Sequence, residues 1–100
     1  MLEQRLNQDI KQALLGGDKA RAEVLRGLKS VLLNEKIAKG LRDTGLSDEA
    51  VLALIGKEVK KRTESAELYE KAGANDRAET ERSERAVLEE YLPEQLSDEE

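Results

Sequence analysis

Aliphatic side chains recur at spacings of three and four along most of this chain, and glycines stand at the joints between the periodic stretches. That period is the signature of amphipathic helices, so the chain reads as all-α with no place for a strand. Leu2, Leu6, Ile10, Ala13 and Leu14 form one stripe over residues 2–15. Gly16-Gly17 ends it, since glycine tolerates the left-handed conformation that closes a helix. Asp18 then reads as the N-cap of a second helix running from Lys19 to about Ala38, with Val24, Leu25, Leu28, Val31 and Leu32 as its inner face.

Gly40 and Gly45 bracket a linker, and Ser47 reads as the next N-cap. A long third helix over residues 48–72 carries Val51, Leu52, Ile55, Val59, Arg62, Ala66 and Tyr69 at helical spacing. Its apolar stripe thins after Val59. Gly73 closes it, and Asn75 or Asp76 is expected to cap a fourth helix reaching about Tyr91. The stripe of that helix, Ala78, Arg82, Arg85, Leu88 and Leu92, is too thin to build a core alone. It suits an antiparallel partner for the second half of helix three. The expected architecture is therefore a four-helix domain over residues 1–93: a compact N-terminal core plus a projecting antiparallel hairpin of helices three and four. Leu92-Pro93 breaks the chain direction. Residues 94–100 are expected to begin a linker or helix leading into a further, C-terminal helical domain, because Ser97-Asp98-Glu99-Glu100 has the composition of a helix start.

The chain has 100 residues with no Cys, His, Trp or Phe. This composition excludes disulfides, Cys/His metal sites and Cys or His nucleophiles. No cofactor and no metal is expected, and no phosphate-binding glycine motif occurs. No apolar run is long enough for a membrane span and no signal-peptide pattern opens the chain, so a cytoplasmic location without membrane association is expected. No catalytic residue emerges: the carboxylates Glu81, Glu84 and Glu89 read as a solvated helix face.

Charge is unevenly distributed. Residues 1–71 hold 14 basic and 12 acidic side chains, residues 72–100 hold 3 and 10, and the whole chain carries −5. Such a balance excludes bulk polyelectrolyte binding, and no DNA partner is expected. A local basic face remains. Lys19, Arg21, Arg26 and Lys29 on helix two, with Asn34 beyond them, are the candidate RNA contacts, because Lys and Arg position phosphates and Asn makes directed hydrogen bonds. The bland alternative for this cluster is a solubilising polar face. Arg62 falls near the Val59–Ala66 seam and reads as a structural Arg needing a carboxylate from helix four. Tyr69 and Tyr91 read as packing anchors, since two tyrosines do not make a base-stacking platform.

Asp18-Lys19-Ala20-Arg21, Leu25-Arg26-Gly27-Leu28-Lys29, Asn34-Glu35, Lys61-Arg62, Tyr69-Glu70-Lys71-Ala72-Gly73 and the closing Tyr91-Leu92-Pro93-Glu94-Gln95-Leu96 follow one another in an order that resembles the GatB/YqeY family. The likeness is to its stand-alone YqeY-like members and covers essentially the whole chain. The resemblance implies an all-helical domain akin to the tail of the B subunit of the tRNA-dependent amidotransferase, a tail that contacts tRNA and does no chemistry. It also implies a second, smaller helical domain after this one. The partner so implied is tRNA or an aminoacyl-tRNA-related protein. The family label of carbon–nitrogen ligase with glutamine as amido-N-donor has no catalytic group here to carry it. A protein-interaction or structural domain is the remaining alternative, and the oligomeric state is left open. One departure stands out: the loop after Gly73 reads Ala74-Asn75-Asp76-Arg77, so its positive charge comes later than in relatives.

Overall fold

A computed structural model describes residues 1–93. It has four helices, α1 (Leu2–Leu15), α2 (Lys19–Lys39), α3 (Asp48–Lys71) and α4 (Asn75–Glu89), and no strand among the described residues. The all-α expectation holds, with helix ends within a residue or two of those read from the sequence. The expected further domain begins at residues 94–100, which lie outside the described residues. Contacts divide the chain between Leu54 and Ile55, inside α3, into two compact units.

The unit Met1–Leu54 is an antiparallel pair, α1 on α2, joined to the start of α3. Leu6, Ile10 and Ala13 of α1, and Ala22, Val24, Leu25, Leu28 and Leu32 of α2, are buried, as is Val51 at the start of α3. Leu25, at 0% exposure, is a fully buried side chain of this unit. Leu14 was expected in the α1 stripe but is 45% exposed. It sits about 100° round the helix from Ala13 and falls in the last turn, past the inner face.

The turn between α1 and α2 follows from hydrogen-bond geometry. The Asp18 amide donates to the Ala13 carbonyl (2.8 Å) and the Gly17 amide to the Leu14 carbonyl (3.2 Å). These paired bonds form a Schellman closure, which requires a left-handed residue, and Gly17 has φ +77°. The same pair of bonds recurs around Gly40, with Leu41 to Lys36 and Gly40 to Ile37, and around Gly73, with Ala74 to Tyr69 and Gly73 to Glu70. Each chain reversal is then followed by a helix start. Asp18 Oδ1 accepts from the Arg21 amide and Ser47 Oγ from the Ala50 amide, both at 3.1 Å. The start of α3 is tied back to α1 by the Leu2 amide, which donates to Asp48 Oδ1 at 3.1 Å.

From Ile55 onward, the rest of α3 runs antiparallel to α4. Arg62 meets Glu84, and seven residues further along α3 Tyr69 meets Arg77, seven residues back along α4. Ala66, Ala78, Leu88 and Tyr91 are buried in this unit. The α4 cap differs from expectation. Neither Asn75 nor Asp76 caps it; Ala74 is the N-cap and makes no side-chain bond. The Gly73 closure already uses the Ala74 amide, and the Ala74 carbonyl accepts from Ala78 at 3.1 Å, so Asn75 is inside the first turn.

Candidate nucleic-acid interface

Helical geometry sorts the basic residues of α2 into lines. Lys19, Arg26 and Leu33 lie seven apart, about 20° from one another per step, and are exposed. Lys29 and Lys36 form a second line about 60–80° away from Arg26, following buried Ala22. Arg21 is about 140° round from Arg26, on the side of Leu25 and Leu28, and is half-buried. Asn34 is exposed about 80° from Arg26 on the side away from Lys29. Lys19, Arg26 and Lys29 therefore share a surface, with exposed Asn34 about 80° beyond Arg26 on one side and half-buried Arg21 about 80° beyond Lys29 on the other.

An open cleft of about 500 Å³ lies between α1 and α2. Leu6 and Leu32 form its buried floor, and Leu33, 44% exposed, is part of its lining. Arg26, Lys29 and Lys36 line it from α2, with Ser30 among them, and Glu3, Gln4 and Asn7 line it from α1. Lys36 Nζ is held by Glu3 Oε2 at 3.1 Å, an ion pair joining the first turn of α1 to the last turn of α2. Among the described residues, Lys19, Arg26 and Lys29 have no carboxylate within 4 Å. Lys36 follows the basic run of α2 in the sequence, but the α1 side of this cleft does not show there as a site, because it reaches the cleft only through the packing of α1 on α2.

In the α3/α4 hairpin, Lys57, Lys60 and Lys71 are likewise exposed without an ion pair among the described residues, while several arginines are engaged between the helices. Arg62 Nη1 bonds Glu58 Oε1 at 2.9 Å and its Nε bonds Glu84 Oε1 at 3.3 Å. Arg85 Nη1 donates to Thr63 Oγ1 at 3.2 Å, and that hydroxyl donates to the Val59 carbonyl. Arg82 Nη2 reaches Glu70 at 3.1 Å. Arg77 stands 5.9 Å over the half-buried Tyr69 ring, close enough for a cation–π attraction. Tyr91 is buried, at 5% exposure. These arginines tie helix to helix, and carboxylates of the hairpin answer the charge of Arg62 and Arg82.

Fold and surface define a small helical module whose α2 presents three exposed cations on one side, with no ion pair to them among the described residues. Residues 3–100 match the model of the family described as Yqey-like protein, and the chain belongs to that family. No curated protein matches the chain in sequence. No helix among the described residues is long and apolar enough to cross a membrane.

Proposed function

We propose that this chain is a non-catalytic helical module that contacts the phosphate backbone of tRNA through Lys19, Arg26 and Lys29 of α2. The observation that carries this reading is that these three cations are exposed together on one surface of α2, two of them lining the α1/α2 cleft, with Glu23 the one acidic side chain at helical ion-pair spacing from Lys19 and Arg26 and no ion pair formed to any of the three among the described residues. A cation already paired with a carboxylate gains little from a phosphate, since the bond it forms replaces one it had. An unpaired, hydrated cation releases a phosphate counterion when it binds, and that release drives association. The likeness to the tail of the amidotransferase B subunit supports tRNA as the polyanion. The absence of Cys and His from the sequence supports binding over acyl or amide-transfer chemistry through such groups.

The test is a titration of the protein with total tRNA at several salt concentrations. Three phosphate contacts predict that log affinity falls with log salt at a slope of about −2 to −3. A flat salt dependence, or no binding at about 50 mM salt, contradicts the reading and points to a protein partner.

A further inference from the structure

The exposed cations explain attraction to any phosphate chain but not the cleft beside them. A duplex backbone binds an exposed line of cations without needing an apolar recess, because its bases are stacked away from the protein. Here Arg26 and Lys29 belong at once to the basic surface and to the lining of the α1/α2 cleft. The floor of that cleft is Leu6 and Leu32, Leu33 is half-exposed within it, and Asn7, Gln4 and Ser30 supply amide and hydroxyl groups. Its volume of about 500 Å³ lies within the range of pockets that take small organic groups.

We infer that the α1/α2 cleft receives an unpaired nucleotide of the bound RNA, with its phosphate on Arg26 and Lys29 and its base over Leu33. This rests on the RNA reading above and deepens it: the preferred substrate is RNA with a single-stranded end or a looped-out residue rather than continuous duplex. Three features match that ligand. A nucleobase offers a flat, weakly polar face to the aliphatic wall of Leu33. Its edge carries donors and acceptors, and Asn7 and Gln4 each have both kinds of group. The Arg26 guanidinium is planar and can lie along a base as well as hold a phosphate. The Glu3–Lys36 ion pair, at 3.1 Å, places a carboxylate on the lining beside Lys36, so the phosphate is assigned to Arg26 and Lys29, which have none within 4 Å. With no aromatic side chain in the lining, the base is held by aliphatic contact and by Arg26, which sets a modest preference.

The experiment compares a blunt RNA hairpin with the same hairpin bearing a short single-stranded extension, at about 50 mM salt, using the whole chain. The extended hairpin is expected to bind roughly fivefold tighter or more. Leu33→Ser, an exposed position whose change leaves the core intact and adds no carboxylate beside Lys29, is expected to remove that preference while the blunt hairpin binds much as before. Arg26→Glu with Lys29→Glu is expected to weaken both RNAs. Equal affinity of the two hairpins for the unaltered protein overturns the cleft assignment and leaves the backbone reading standing. An unchanged preference in a folded Leu33→Ser variant also overturns it. Failure of both hairpins and of tRNA to bind removes the RNA reading itself, and the assignment with it.

Discussion

Arg62 on α3 bonds Glu84 on α4 at 3.3 Å while also holding Glu58 one turn earlier on its own helix, at 2.9 Å. The three side chains are 22%, 33% and 14% exposed, respectively, so the cluster is shielded enough to matter and wet enough to avoid a large desolvation cost. Loss of Arg62 leaves Glu58 with Lys61 alone, at 3.4 Å, and takes from Glu84 its cross-helix cation. Arg62→Ala is expected to destabilise the protein by about 1–2 kcal/mol, and an Arg62/Glu84 double-mutant cycle to show a coupling of about 0.5–1 kcal/mol. Urea unfolding followed by circular dichroism measures both, and additive single effects would show that the pair contributes no coupling.

Two glycines should respond to alanine in opposite directions. Gly17 sits at φ +77° in the closure of α1, where a Cβ meets no atom within 4 Å but the backbone conformation itself disfavours L side chains. Gly17→Ala is expected to cost about 1 kcal/mol. Gly27 lies in the middle of α2, exposed, with open space around the added methyl. Gly27→Ala is expected to stabilise by about 0.5–1 kcal/mol, because it removes unfolded-state freedom without meeting a neighbour. Thermal melts of the two variants should move apart, and a fall in midpoint for Gly27→Ala would contradict the account of α2.

Helix starts give a third test. Asp18→Ala and Ser47→Ala each remove a side-chain acceptor from an amide of the following first turn. Each should cost about 1 kcal/mol. A matched change at Asn75, which lies inside α4 rather than at its cap, should cost much less. Chemical denaturation of the three alanine variants distinguishes a capping role from general surface polarity; equal losses at all three positions would remove the distinction.

Most of the fold was legible because its signals are local. Asp18, Ser47, Gly40 and Gly73 act on neighbours within a few residues, and most of the apolar spacings of α1 and α2 register on burial, with Leu2 and Val31 only half-buried. The misreadings arose where a local signal met a competing one. Leu14 matches the α1 period but lies past the point where α2 covers the helix. Asn75 and Asp76 have capping side chains, yet the Gly73 closure begins α4 one residue earlier, at Ala74. The surface is harder to read than the core. Spacing already sets Arg21 off the Lys19–Arg26 line, but its half-burial shows only in the fold. Nothing in the order of residues brings Glu3 and Asn7 of α1 alongside Lys36 and Leu33, since that depends on how two helices pack.

The most direct test of the central claim is tRNA affinity of the Arg26→Glu/Lys29→Glu double variant against the unaltered protein, at about 50 mM salt, once circular dichroism has shown both to be equally helical. Both positions are exposed, so the charge reversals leave Leu25, Leu28 and Leu32 in place. The account predicts an affinity loss of tenfold or more, on the order of 1.4 kcal/mol or greater, similar for different tRNAs, together with a salt slope shallower by about 2. Unchanged affinity and slope in the folded variant would contradict it.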